Sequence, residues 1–197
     1  MLDAVERWAH LHTAQPQMIC GAYEGGLLTM LCRMARAKTA VEIGAFVGYS
    51  TICIARGLDN GGRLHTFEIN EEYEETIRRH IEMAEVDGVV SLHIGDAKEL
   101  IPTLFDNNSG LDFAFIDAEK RSCRLFYDMM VPMIRPGGVL VVDNVLWGGK
   151  VTDYDGCNDL DTRLFRDFND YVQSDSRVMN VMLPVGDGLM VCLKNFD

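Results

Sequence analysis

The stretch Val41-Glu42-Ile43-Gly44-Ala45-Phe46-Val47-Gly48-Tyr49-Ser50 joins a short apolar run to a turn that contains two glycines. Residues 39–44 predict a buried strand, and residues 49–57 predict the helix that follows it. Gly44 and Gly48 allow the backbone to turn sharply between the two elements. This strand, turn and helix form the first unit of a chain in which strands and helices alternate.

The alternation continues toward the C-terminus. Further strands are predicted at 63–68, 89–94, 111–116, 139–142, 178–183 and 188–194. Helices are predicted from the capping residue Asn70 to about Val86, after Asp96, at 122–132 and at 162–173. Apolar strands that alternate with helices predict a mostly parallel sheet with helices on both faces.

Two turn sequences refine this prediction. Arg135-Pro136-Gly137-Gly138 is typical of a helix end followed by a turn. Pro184-Val185-Gly186-Asp187-Gly188 joins the last two strands and is too short for a parallel crossover. The last pair of strands must therefore be antiparallel.

The composition favours one folded domain over residues 1–197, with an N-terminal helical segment at 1–36 and a loop at 147–161. Hydrophobic residues make up 48% of the chain, enough for a sizeable core. No apolar run is long enough to span a membrane, and the charged residues 1–7 do not resemble a signal peptide. Six scattered cysteines favour buried thiols in a reducing compartment, so we expect a cytoplasmic protein.

Polar residues gather where the predicted strands end, which is where open α/β sheets bind ligands. Glu42 would repel a phosphate but suits an ammonium group, and Glu68 can accept hydrogen bonds from a ribose diol. The first turn lacks the G-x-G-x-x-G of dinucleotide sites. An adenosine with an amino-acid tail fits both acids. Taken singly, the glycines are equally consistent with ordinary turns, and Glu68 with a solvated strand end.

Asp117, Asp143 and Asn144 follow two further strands and supply two carboxylates and one amide oxygen. These hard donors suit Mg²⁺ or Ca²⁺, with Mn²⁺ a further choice, and leave positions for water and substrate. The alternative is that these side chains only cap the helices that follow.

Several segments together resemble the cation-dependent O-methyltransferases, the group that contains the catechol and caffeoyl-CoA enzymes. They occur in family order over some nine-tenths of the chain: 41–50, Phe115-Ile116-Asp117-Ala118-Glu119-Lys120, 135–138, Val142-Asp143-Asn144-Val145-Leu146-Trp147 and 183–188. The resemblance implies a Rossmann-like methyltransferase fold with seven strands, the last antiparallel, and S-adenosylmethionine (SAM) as methyl donor.

The resemblance also implies the residues of the site. Those expected at the cofactor are Met18, Glu42, Gly44, Ala45, Tyr49, Ser50, Glu68, Ala97, Asp117 and Glu119. The expected cation ligands are Asp117, Asp143 and Asn144, and the family role of Lys120 is general base. Cys20 and Gly148 depart from plant members, which carry a small hydroxyl residue and, in some cases, a substrate-binding Asn there.

The expected reaction is Mg²⁺-dependent methylation of a hydroxyl group on a small catechol-like or other vicinal dihydroxy aromatic acceptor. A dication favours the oxyanion of a phenol whose pKa is about 10. Trp147, Tyr154 and Tyr127 are candidates to sandwich the acceptor ring. The N-terminal arm is short compared with plant members, so we expect either an open acceptor pocket or one that a partner subunit of a homodimer completes.

Two other functions remain as alternatives. Some bacterial relatives methylate a hydroxylated uridine in tRNA, and a basic track could serve such a substrate: Arg33, Arg36, Lys38, Arg78, Arg79, Lys120, Arg121 and Arg124. The net charge of −12 opposes nucleic-acid binding at long range. A non-catalytic nucleotide-binding or NAD-dependent protein is disfavoured by the missing dinucleotide motif.

Overall fold

The computed structural model describes residues 1–153 and 156–196. Its strands are β1 (Thr39–Ile43), β2 (Arg63–Glu68), β3 (Val90–Ile94), β4 (Leu111–Ile116), β5 (Ile134–Val142), β6 (Val178–Leu183) and β7 (Leu189–Lys194). The helices are α1 (Leu2–His12), α2 (Gly21–Met34), α3 (Tyr49–Gly57), α4 (Glu74–Met83), α5 (Ala97–Leu104), α6 (Cys123–Met133) and α7 (Leu160–Ser174). Short 3₁₀ turns lie at Pro16–Met18, Glu71–Tyr73, Lys120–Ser122 and Lys150–Thr152.

The strands form one sheet in the order β3-β2-β1-β4-β5-β7-β6. All neighbours pair in parallel except β7, which is antiparallel to both β5 and β6. The predicted fold class and the antiparallel last pair are confirmed. Successive crossovers run one way from β1 to β3 and the other way from β4, so the sheet has its switch point between β1 and β4.

The core lies on both faces of the sheet, and alternate strand residues divide between the two. Phe113 and Phe115 of β4 pack with residues of α1 to α4. Ala114 and Ile116 pack with residues of α5 to α7. Since side chains along a strand point to opposite faces, a strand covered on both sides must be apolar throughout. This requirement explains the continuous apolar run of β4.

β5 begins earlier than the predicted 139–142. Leu111 pairs with Ile134 and Phe113 with Val139, so residues 135–138 form a bulge inside the strand rather than a separate turn. Gly137 takes a left-handed conformation there (φ 74°). The glycines do mark a local change of backbone direction, as predicted. The strand nevertheless continues through them, because residues before and after the bulge both pair with β4.

The helix predicted from Asn70 to Val86 begins and ends differently. Asn70 accepts a hydrogen bond from the backbone N–H of Glu72 (3.0 Å), so it caps the 3₁₀ turn that leads into α4. α4 ends at Met83. At the N-terminus, α1 and α2 occupy most of the predicted helical segment. Within the described parts of the chain, no helix is both long and apolar enough to cross a membrane.

Candidate active site

Backbone hydrogen bonds extend the parallel ladder past the strand ends and so align the polar residues found there. The Asp117 N–H donates to Ile43 O (2.9 Å), and the Asp143 N–H donates to Ile116 O (3.0 Å). Gly44 is joined in the same way to β2. The residues that follow β1, β4 and β5 therefore stand side by side at the switch point.

Gly44 allows the chain to leave β1 closely against β4. Its φ is 99°, and a Cβ atom at this position would overlap the carbonyl oxygen of Asp117. Only glycine meets both the conformational and the spatial requirement. The turn after β1 and the end of β4 can thus form two walls of one cleft.

This cleft has a volume of about 230 Å³, including space open to solvent. Its lining contains six of the predicted cofactor residues: Met18, Gly44, Ala45, Tyr49, Ser50 and Asp117. Sequence reasoning missed Ile19 as a cleft residue. It placed Phe46 and Val47 in the turn after β1 without assigning them to the cofactor, and it placed Cys20 beside the cofactor only through the resemblance. Their apolar character resembles ordinary core packing, so they carry little signal in the sequence.

Glu68 lies behind the cleft and holds its turn. One carboxylate oxygen accepts the Phe46 N–H (2.7 Å), and the other accepts the Asn70 N–H (2.9 Å). The side chain is 8% exposed. Each oxygen keeps acceptor capacity for a ligand hydroxyl, because a carboxylate has about four lone-pair positions.

Glu42 lies beneath the cleft, fully buried. Its Oε2 accepts hydrogen bonds from the hydroxyls of Thr51 and Thr66, both at 2.6 Å. Burial raises the pKa of Glu42. Glu42 is not among the residues that line the cleft, and it anchors β1 to β2 and α3. Its predicted contact with the cofactor stays a prediction.

Ala97 and Glu119 lie apart from the lining of the cleft. Ala97 begins α5 and is buried, while Glu119 is exposed before the 3₁₀ turn that contains Lys120. Their predicted contacts with the cofactor stay predictions.

Asp117 and Asp143 end neighbouring strands and repel each other. Burial and the Asp143 carboxylate raise the pKa of Asp117 well above its usual value. Burial and the Asp187 carboxylate raise the pKa of Asp143 to about 6, against the hydrogen bond that it accepts from the Asn144 N–H (2.6 Å). Asn144 has a φ of 64°, an uncommon conformation for a residue other than glycine.

Glu24 of α2 adds a carboxylate that the sequence analysis missed. It is 3% exposed, and no donor in the described part of the chain reaches its Oε1. Burial, together with Asp143 and Asp117, raises the pKa of Glu24 to about 9. An unpaired buried oxygen whose charge interacts with two other carboxylates is an environment that suits a hard cation. Glu24 gave no signal because its partners are remote in the chain.

Lys120 lies at the same end of the sheet, where its Nζ is 3.4 Å from the centroid of the Trp147 ring. The charge of Lys120 also acts on the Cys123 thiol. Burial, together with Asp117 and Asp143, raises the pKa of Cys123 to about 12, and Lys120 opposes this increase. The ammonium group of Lys120 is therefore packed against the face of the Trp147 ring.

The turn 184–188 fastens the segment that carries Trp147. The Gly148 N–H donates to Asp187 Oδ1 (2.5 Å), and the Leu146 N–H donates to Asp187 O (2.8 Å). The segment that follows β5 is thus attached to the β6–β7 turn.

Of the other aromatic residues predicted for the acceptor wall, Tyr127 is unavailable. It is fully buried in α6, and its hydroxyl donates to Asp175 Oδ2 (3.0 Å). Its position in α6 places Tyr127 on the face of the helix that packs against the sheet, so its ring lies in the core. Tyr154 lies outside the described residues.

Comparison with known proteins agrees with this arrangement. A family model described as O-methyltransferase matches residues 1–195. A caffeoyl-CoA O-methyltransferase from Mesembryanthemum crystallinum is 33% identical over 183 residues, which cover 89% of this chain and 72% of the relative.

Two solved structures share the fold. The O-methyltransferase TomG from Streptomyces achromogenes, involved in tomaymycin synthesis and solved with SAM, has a TM-score of 0.86 and 32% identity, covering 99% of this chain and 89% of that one. A Bacillus cereus O-methyltransferase solved with S-adenosylhomocysteine (SAH) also has a TM-score of 0.86, with 30% identity, covering 98% of this chain and 90% of that one. The chain therefore belongs to the O-methyltransferase family and is a SAM-dependent O-methyltransferase.

Proposed function

We propose that the enzyme uses Mg²⁺ to transfer the SAM methyl group to a hydroxyl of a small vicinal dihydroxy aromatic acceptor. The observation that carries the proposal is the pair Asp117 and Asp143, which the parallel ladder holds together beside the cofactor cleft. Burial and neighbouring carboxylates raise the pKa values of both acids. A hard dication relieves that repulsion.

The donor set fits such an ion. Asp117, Asp143 and Asn144 would hold it through oxygen atoms, the ligands that Mg²⁺ prefers. When bound, the cation supplies positive charge that favours the ionised form of an acceptor hydroxyl. Two vicinal oxygens would also fix the orientation of the acceptor, which lowers the entropic cost of the reaction.

The remaining steps fall to the protein. The cleft residues hold SAM, and Lys120, as the neutral amine that a nearby dication would favour, accepts the proton of the acceptor hydroxyl. Trp147, packed on Lys120, offers a ring face for an aromatic acceptor. An O–CH₃ bond then forms as the S–CH₃ bond breaks, and SAH is released.

Turnover of SAM with catechols, hydroxycinnamates and undermodified tRNA, each with Mg²⁺ and with EDTA, tests this function. We expect methylation of a small catechol-like acceptor that stops in EDTA and returns with Mg²⁺, while SAM binding persists without the cation. Turnover that EDTA leaves unchanged would contradict the metal-dependent mechanism.

The same screen covers the tRNA alternative. Arg36 and Lys38 precede β1, at the amino edge of the sheet, whereas Lys120 and Arg121 follow β4 at its carboxyl edge. These residues do not adjoin, so a small acceptor is our preferred proposal. The cytoplasmic location and the homodimer stay predictions, and light scattering would test the latter.

A further inference from the structure

Glu24 lies opposite the acidic strand ends, on a helix that is not adjacent to them in sequence. α2 packs on α3, and burial, together with the carboxylates of Asp143 and Asp117, raises the pKa of Glu24. The carboxylate is 3% exposed, and its Oε1 is without a hydrogen-bond donor among the described residues. Leaving a buried carboxylate oxygen unpaired is costly, so a partner for it is expected from outside the chain.

The turn 184–188 leaves room for this side chain. A Cβ atom on Gly186 would come within 2.6 Å of Glu24 Oε2, and Gly186 has a φ of 57°. The turn therefore approaches Glu24 closely on one side, which leaves Oε1 as the free atom. Glu24 is enclosed between α2, the strand ends and this turn, and the enclosure restricts where its oxygen can point.

We propose that Glu24 is a further carboxylate of the cation site and accepts a hydrogen bond from a water molecule in the hydration shell of the ion. This inference rests on the proposed Mg²⁺ dependence. Across residues 1–153 and 156–196, no three acidic, imidazole or thiol side chains converge as a direct ligand set. Because Glu24 does not complete a direct ligand set, we place a water molecule between its carboxylate and the ion. Mg²⁺ usually retains several of its waters.

Such a contact gives Glu24 two effects. Its negative charge strengthens binding of the dication, and its hydrogen bond orients the ion within the site. Glu24 is thus a positioning residue, because it acts through the cation and not on the acceptor or on SAM.

The test is direct cation binding, measured by calorimetry with Mg²⁺ and by electron paramagnetic resonance with Mn²⁺ on the metal-free protein. Glu24→Gln keeps the shape and removes the charge, and we expect a loss of affinity of roughly 10–100-fold. Glu24→Asp keeps the charge and should bind the cation more tightly than Glu24→Gln. Glu82→Gln, at an exposed position of α4, is the control for loss of one negative charge and should match the wild type.

The outcomes separate this inference from the proposed function. Equal cation affinity in the wild type and Glu24→Gln overturns the role of Glu24 and leaves the metal-dependent mechanism intact. A wild-type protein that binds neither cation overturns both. A lower thermal midpoint of metal-free Glu24→Gln with unchanged Mg²⁺ affinity would make Glu24 a packing residue only, and it also overturns the inference.

Discussion

Glu68 joins two backbone segments at the cleft, since it accepts the N–H groups of Phe46 and Asn70. If Glu68 accepts hydrogen bonds from the ribose hydroxyls, as the sequence predicts, Glu68→Ala removes that charged acceptor, and we predict that SAM binding weakens by about 1–3 kcal/mol. Isothermal calorimetry measures this loss. Glu71→Ala, at an exposed position three residues later, is the control. Unchanged affinity in Glu68→Ala would remove Glu68 from the binding site.

We expect the substitutions Asp143→Ala and Lys120→Ala to reduce activity in different ways. Under the proposed mechanism Asp143→Ala removes a cation ligand, so we expect activity to fall and to recover partly as Mg²⁺ is raised. Lys120→Ala should not respond to Mg²⁺, but it should improve as pH rises or with a more acidic phenol, which ionises unaided. Steady-state kinetics over Mg²⁺ concentration and acceptor pKa distinguish the two. The same response from both variants would contradict the separate roles.

At the scale of elements, Asp175 joins α6, α7 and β6. It lies just after α7, accepts the Tyr127 hydroxyl from α6, and forms an ion pair with Arg177 before β6 (2.7 Å). The hydrogen bonds from Arg177 lower the pKa of Asp175 to about 2. This acid therefore contributes stability that depends on its ionised form.

The direction of the pH effect follows from the lowered pKa. In the unfolded chain the Asp175 carboxyl has a pKa of about 3.9. Its contribution to the free energy of unfolding is therefore complete above about pH 3.9 and is lost as the pH falls toward about 2. We predict that Asp175→Asn lowers the free energy of unfolding by about 2 kcal/mol near neutral pH and by less near pH 2 to 3. Urea unfolding at both pH values measures it, with exposed Asp170→Asn as the control. A loss that is equal at both pH values would refute the linkage.

At the scale of the whole molecule, the acids at the switch point make the metal-free enzyme sensitive to pH in the opposite sense. The pKa of Asp143 is raised to about 6 and that of Glu24 to about 9. The folded state thus binds protons more tightly than the unfolded state, and stability declines as pH rises from about 4 through the raised values.

Mg²⁺ should reverse this decline, because protons and the cation compete for the same carboxylates. We predict that saturating Mg²⁺ raises the thermal midpoint more near pH 7.5 than near about pH 5. Differential scanning calorimetry with and without Mg²⁺ measures the shift. A shift that is equal at the two pH values would show that no titrating carboxylate binds the ion.

The positions of the strand ends could be predicted from the sequence, and with them Asp117, Asp143 and Asn144. Hydrophobic periodicity and turn residues are local properties, so they are present in any short window of the chain. The same signals gave the parallel sheet and the antiparallel last pair. The bulge at 135–138 marks the limit, because pairing with β4 decided that these glycines lie within a strand.

Only the tertiary structure decided which side chains meet at the site. It brought Glu24 of α2 to the acidic strand ends, laid Trp147 over Lys120 and turned Tyr127 into the core. Each of these outcomes depends on how separate elements pack, and no local window of sequence contains that information. The sequence by itself thus determined the order of the elements and the residues at their ends, while long-range packing determined the surroundings and the charges that these residues face.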